Sequence, residues 1–289
     1  METDRNAPQV SIITVNYHTE GEILRLLESA RAHPPFPSFH FILVDNSPGH
    51  GVEFPIGPDD LYLPQGSNIG FGPACNLGAG KSAAPFLFFA NPDLEFTGSL
   101  EPLTDLIRGD VVAACPLIDP PGFFQNRRLP TLFYFALDFM GLPKFFPENA
   151  FSEYYYYLPP PKTPFEVEQP AAAALLFSRE KFMALEGFDP GFVPAWFEDV
   201  DLFARVFQAG WKAQCHPTVT VRHAAGAVAQ KLGRNRFFEH CGRNCVRYFR
   251  KHHPMLTVWG IKGVLGTGLF LRAILGKVSP GLPFKVPGW

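Results

Sequence analysis

Three short apolar runs, each stopping at a small polar or acidic group, constrain this chain most. Val10 to Asn16 reads VSIITVN. Phe39 to Val44 reads FHFILV and continues into Asp45, Asn46 and Ser47. Pro85 to Ala90 reads PFLFFA and continues into Asn91, Pro92 and Asp93. Unalternating, β-branched or aromatic runs of this length mark strands buried on both faces, as in a parallel sheet. Between the first two, Thr19 to Ala32 carries Ile23, Leu24, Leu26, Leu27 and Ala30 at helical spacing. Strand, helix, strand opens an α/β sheet, and such sheets bind ligands beyond the carboxyl ends of their strands. Asp45, Asn46 and Asp93 are therefore expected beside a ligand. The same triplets also suit plain turns. A proline-held acid such as Asp93 further suits a divalent cation bridging two phosphates.

Other segments extend the pattern. Leu61 to Pro64 is a weak further strand, and Asn68 to Ser82 (NIGFGPACNLGAGKS) is a loop leading into a small-residue helix. Gly80-Lys81-Ser82 is not a P-loop, because Cys75 stands where that motif needs glycine. A helix is expected from Leu94 through Leu100, Leu103, Leu106 and Ile107, then a strand from Val111 to Cys115. The middle differs, with Pro120, Pro121, Arg127, Arg128, Phe133, Phe135, Phe139, Phe145, Phe146 and Tyr154 to Tyr157 before three prolines. It reads as an ordered loop or hairpin helix over a cleft, or resting on lipid. Ala171 to Ser178 is a core strand or a helix start.

The stretch Glu186 to Gly226 crowds Glu198, Asp199 and Asp201 among aromatics, which is costly unless the acids are paired, hydrogen-bonded or metal-linked. Leu202, Phe203, Val206 and Phe207 recur at helical spacing, and Gly210 stops the helix. Asp201 and Arg205 are expected to pair on its surface. Asp199 falls in the first turn, where the helix dipole favours the ionised form. Thr218 to Arg222 is strand-like and ends at His223. One turn thus returns a histidine towards a carboxylate, as a catalytic wall or as a cap with a satisfied surface histidine.

Charge is divided along the chain. Up to Asp201 there are 11 Lys and Arg against 26 Asp and Glu; beyond it, 14 stand against Glu239 alone. The basic end points to anionic partners or to neutralisation of the acidic body. Arg234 to His253 is a basic helix candidate. Met255 to Lys277 is apolar but broken by Lys262 and Arg272, so it suits an interfacial helix or packing on the body better than a bilayer span. Basic residues interleaved with apolar ones, outside any nucleic-acid fold, predict no nucleic-acid partner. Five scattered cysteines contain no C-x-x-C pair. The opening METDRNAPQ lacks a signal-peptide pattern, so a cytoplasmic location is expected.

In order along the chain, VSIITVNY, VDNS, NIGFGPACNLG, NPD, GFDPGFVPAWFEDVDLFARVFQAGW and HAAG resemble the family 2 glycosyltransferases of the GT-A fold. RRLPTL and the basic NRFFEHCGRNCVRYFRKHHP add to the likeness, which is to the rhamnosyltransferase-like branch. The resemblance implies a Rossmann-like open mixed sheet flanked by helices, with a C-terminal basic and apolar helical extension. It implies a catalytic domain over residues 1–250, an aromatic and proline-rich acceptor-side insert at about 120–165, and a membrane-proximal extension over 251–289. The implied reaction is inverting transfer of a sugar, such as rhamnose, from a nucleoside-diphosphate donor to a lipid-linked or cell-wall glycan. Asp199 is the implied general base, with Glu198 beside it. Thr14, Asn16, Asp45, Asn68 and Gly70 are implied on the donor nucleotide. Asp93 and His223 are implied ligands of Mg2+ or Mn2+ on the diphosphate. Trp196 and Arg128 are implied on the acceptor side. The implied setting is peripheral, on the anionic inner face of the cell membrane. A sugar-nucleotide receptor that keeps the fold without chemistry is the alternative. Three departures stand out: NPD offers one acid, VDN replaces VDD, and VPAW precedes the acidic pair.

Overall fold

The computed structural model describes residues 8–47, 49, 53–119, 126–139, 150–224 and 234–278. Pro120, Pro121, Phe145, Phe146, Ala225, Gly226 and positions 279–289 lie outside the described residues. Eleven strands are described: β1 (Val10–Asn16), β2 (Phe39–Asp45), β3 (Leu61–Pro64), β4 (Phe86–Ala90), β5 (Leu94–Phe96), β6 (Val111–Asp119), β7 (Asn126–Arg127), β8 (Phe165–Val167), β9 (Gln169–Pro170), β10 (Ala174–Ser178) and β11 (Lys212–His223). The helices are α1 (Glu20–Ala32), α2 (Phe71–Lys81), α3 (Pro102–Leu106), α4 (Leu132–Phe139), α5 (Ala150–Tyr156), α6 (Arg179–Ala184), α7 (Glu198–Gln208), α8 (Arg234–His252) and α9 (Met255–Val278).

Nine strands form one mixed sheet in the order β3-β2-β1-β4-β10-β6-β11-β5, with β8 also on β11. The first four are mutually parallel. β10 runs antiparallel between β4 and β6, and β11 is parallel to β6. The carboxyl ends of β1, β2, β4 and β11 therefore share one edge of the sheet. Successive residues of a strand face opposite sides, and both sides are apolar. Ile12, Leu43 and Phe88 pack with Ile23, Leu26 and Leu27 of α1 on one face. Ile13, Val44 and Phe89 pack with Ala74 and Ala79 of α2 and Leu202, Phe203 and Val206 of α7 on the other. This is the open α/β architecture expected of a GT-A fold.

A third apolar cluster joins Phe135 of α4, Val200 of α7, Tyr248 and Phe249 of α8, and Val258 and Ile261 of α9. The C-terminal helices are thus packed on the body. Small residues set the close approaches. A Cβ on Gly260 would stand 2.6 Å from Leu132, and one on Gly78 would stand 2.8 Å from Ile13. Two local expectations change. The segment after Asp93 begins as β5, antiparallel to β11, before the short α3. The Asp201–Arg205 pair forms, but Asp201 is fully buried, not on the surface.

Candidate functional site

The residues expected on the donor side gather where β1 and β2 end. Register places Asn16 beside Asp45. Asn16 Nδ2 donates to Asp45 Oδ1 at 2.9 Å, and Asn16 Oδ1 accepts from the Thr19 amide and hydroxyl, each at 2.9 Å. Asp45 also accepts from the Ser47 amide at 2.9 Å and the Tyr62 hydroxyl at 2.7 Å. Burial, followed by the hydrogen bond and charge of Asp45, pushes the Tyr62 phenol up to about 12. Beside them, Asn46 Nδ2 bridges Asn68 Oδ1 and the Gly70 carbonyl, each at 3.2 Å. Gly70 has φ +94° and leads directly into α2; a Cβ there would meet Val193 at 2.8 Å. Thr14 Oγ1 and Asn46 Oδ1 are buried and have no hydrogen-bond partner among the described residues. Buried polar atoms without partners are costly, so these two are poised for a polar ligand.

The second group stands at the ends of β4 and β11. His223 Nε2 lies 2.9 Å from Asp93 Oδ1 and 3.3 Å from Asn91 Nδ2. The Ala224 amide donates to the Asp93 carbonyl at 3.2 Å. Both side chains of the Asp93–His223 pair are buried. Among the described residues no three His, Cys, Asp or Glu side chains form a metal cage. A carboxylate and an imidazole at a sheet edge nonetheless fit a divalent cation that takes its remaining ligands from phosphate oxygens and water.

The third group is the start of α7, and two strained residues aim it. Trp196 and Phe197 have φ of +74° and +70°, a region costly for large side chains. The surrounding contacts hold them there. Asn244 of α8 donates to the carbonyls of Ala195 at 2.9 Å and Trp196 at 3.1 Å, and Trp196 packs edge-on against Phe237. From the turn, Glu198 and Asp199 diverge. Glu198 is buried towards α2, near Gly72 and Cys75, and its Oε2 has no hydrogen-bond partner among the described residues. Burial, with the Asp199 charge adding to it, pushes the Glu198 carboxyl well above its ordinary range. Asp199 is half-buried; its Oδ2 accepts from Gln169 Nε2 at 3.2 Å and the Ala172 amide at 3.4 Å. Burial raises its proton affinity too, against the opposing charge of Arg127 and several backbone amides.

These groups are contiguous. Thr14 pairs with Ala90 across β1 and β4, the Asn91 amide donates to the Ala173 carbonyl at 2.9 Å, and Ala172 reaches Asp199. Residues 45, 93, 199 and 223 are therefore linked along one edge. Arg128 stands apart from that line. Its guanidinium binds Glu168 at 2.5 Å and lies 4.1 Å over the Tyr154 ring. Sequence reasoning passed over Gln169 and Arg127. A two-residue strand has no periodicity to betray it, and only the doubled arginine was a signal.

No family model matches the chain. It is 30% identical over 234 residues to N-acetylglucosaminyl-diphospho-decaprenol L-rhamnosyltransferase of Mycobacterium tuberculosis, covering 73% of this chain and 75% of the relative. The protein of that name from a second strain matches equally. Among solved structures, GalNAc-T7 with UDP, GalNAc and Mn2+ superposes with a TM-score of 0.58 at 15% identity, over 97% of this chain and 59% of that longer one. The mannosyltransferase PcManGT from Pyrobaculum calidifontis, in complex with GDP-Man and Mn2+, gives 0.55 at 15% identity, over 98% of this chain and 83% of that one. At that identity the two structures establish a shared fold.

Proposed function

The chain belongs to the glycosyltransferases of the GT-A fold, as a relative of the mycobacterial L-rhamnosyltransferases, and from that premise we propose that it transfers a sugar such as rhamnose, with inversion, from a nucleoside-diphosphate donor to a lipid-linked or cell-wall glycan. Asp199 takes the proton of the acceptor hydroxyl. The oxygen attacks the anomeric carbon, and the bond to the nucleoside diphosphate breaks from the opposite face. Burial makes Asp199 a stronger base than an exposed aspartate, which suits general-base chemistry near neutrality. Burial raises the proton affinity of Glu198, which disfavours a second charge beside the base. Thr14, Asn16, Asp45, Asn68 and Gly70 hold the nucleotide. Asp93 and His223 hold Mg2+ or Mn2+, which when bound offsets the charge of the departing diphosphate. Trp196 and Arg128 border the acceptor.

One observation supports this reading: Asn16 and Asp45, the Asp93–His223 pair and Asp199 lie along one edge of the sheet. We assign residues 1–250 to the catalytic domain and 251–289 to a membrane-facing extension. The peripheral reading is supported by exposed Met255, Leu256 and Trp259 beside Lys262 on α9. No helix among the described residues is long and apolar enough to cross a membrane.

Asp199→Asn tests the base. Transfer should fall by about 10²–10⁴-fold, while calorimetry shows sugar-nucleotide binding with Mn2+ unchanged. Near-normal turnover would remove the assignment. Donor binding by the native protein without turnover, across a panel of acceptors, would leave a receptor in place of an enzyme. A thermal-shift panel of UDP-, GDP- and dTDP-sugars identifies the donor, because the one that binds raises the melting temperature by mass action.

A further inference from the structure

Arg127 is only 3% exposed, although arginine does not shed its charge to escape burial. A desolvated guanidinium must be offset by anions or acceptors. Its position in the β7–β9 ladder says where it faces. Arg127 lies directly opposite Gln169, and Asn126 opposite Pro170. Opposed residues of an antiparallel pair project on the same face, with Cβ atoms about 5 Å apart. Gln169 is fully buried and uses that face to reach Asp199 Oδ2. The Arg127 side of the ladder is therefore the side turned to the acidic start of α7. Arg128, the next residue, engages Glu168 and Tyr154 instead, as strand alternation requires. Arg127 also lies near Tyr155 and Tyr156. Both phenols feel the charges of Arg127 and Asp138, and Tyr156 donates its hydroxyl proton to Asp138.

We propose that Arg127 is a positioning residue for the transfer reaction: opposite Gln169 on the β7–β9 ladder, it orients the Asp199 carboxylate to receive the acceptor's proton. The inference rests on Asp199 being the base. The charge that acts on that carboxyl is that of Arg127 from β7, while its neighbour Glu198 on α7 feels the Asp199 charge in turn. Of the influences that oppose burial at Asp199, the charge of Arg127 is the largest. The division of labour is chemically sensible. Burial strengthens the base, and the guanidinium opposes that strengthening. The device lies within the aromatic insert, 72 positions before the acid it serves.

The test is a carboxyl ¹³C NMR titration of Asp199, its resonance identified by its loss in Asp199→Asn. Arg127→Gln should raise the proton affinity of Asp199 roughly tenfold. Arg127→Lys, which keeps the positive charge, should restore a titration close to that of the native protein. A folded Arg127→Gln with an unchanged Asp199 titration would overturn the proposal. Should that variant not fold, Gln169→Leu carries the test. It removes a hydrogen bond to the charged form and should also raise the proton affinity; an unchanged titration there overturns the role given to the ladder. Release of nucleoside diphosphate from UDP-, GDP- or dTDP-linked sugars with Mn2+ is measured in parallel. Full turnover by Asp199→Asn would sink the base reading alone, whereas the titration reports on Arg127 independently of it.

Discussion

Glu198 and Asp199 are adjacent in the chain, yet one turn of helix gives them opposite surroundings. Glu198 enters the apolar layer under α2, whereas Asp199 meets amides and the field of Arg127. Two like charges that close do not both ionise easily, and burial with the Asp199 charge pushes Glu198 well above its ordinary range, whereas Arg127 and the amides oppose burial at Asp199. Two outcomes follow at this scale. For Asp199, whose proton affinity is raised, the acid limb of kcat/KM should lie above the ordinary aspartate range. Rates rise with pH as the base ionises, and a limb at or below that range would contradict the role. For Glu198, a raised folded-state pKa means a contribution to stability that is present at low pH and lost as pH rises towards that value. Glu198→Gln fixes the neutral form. Its melting temperature should exceed the native one at pH 8, and the gap should close as pH falls below the ordinary glutamate range. Its turnover should stay within a few-fold, because burial already disfavours the charged form that the substitution removes.

At the scale of elements, α7 is aimed by its neighbours more than by its own sequence. Asp201, buried in its first turn, is held by Arg205 at 2.9 Å and by Lys251 and His252 of α8 at 2.7 and 2.8 Å. Arg205 continues to the carbonyls of Leu185 and Gly187, and Asp189 meets Arg247 and Lys251. Despite its burial, the hydrogen bonds of His252 and Lys251, with the charge of Arg205, hold the Asp201 carboxyl below its ordinary range. Its contribution is therefore complete above the ordinary aspartate pKa and lost as pH falls through the lowered value. Asp201→Ala removes the buried carboxylate that Arg205, Lys251 and His252 share and should cost about 1.5–3 kcal/mol in urea unfolding, the range of hydrogen bonds to charged groups; a loss under 1 kcal/mol would show that the brace is incidental. Much of this architecture was legible in the sequence. VSIITVN, FHFILVD and PFLFFA announced strands because two-sided burial leaves unbroken apolar runs. Asp45, Asp93 and Asp199 announced themselves by standing where such runs end or a helix begins. The three-residue β5 and the two-residue β7 and β9 were not legible, since elements that short are defined by their partners. The burial of Asp201 was hidden for the same reason: its partners lie some 50 residues downstream.

At the scale of the molecule, acidic body and basic end are joined in two ways. Part of the positive charge of α8 is spent inside, on Asp189 and Asp201. What remains faces outward with Leu256, 83% exposed, and Trp259, 63% exposed, its ring 4.8 Å from Lys262. An apolar rim with cations and no acid in α9 suits an anionic bilayer. In flotation assays the protein should rise with vesicles containing anionic lipid and stay behind with neutral ones. Leu256→Ser together with Trp259→Ser should abolish flotation without lowering the melting temperature, and equal flotation with neutral vesicles would remove the electrostatic part. The tie between Asp201 and residues 251 and 252 also has a consequence for biosynthesis. A polypeptide leaves the ribosome from its amino end, so the acids of α7 emerge well before the cations that lock them. A nascent chain halted short of Lys251 should capture sugar nucleotide at the ends of β1 and β2 yet stay nearly inert, and emergence of Lys251 and His252 should switch it on.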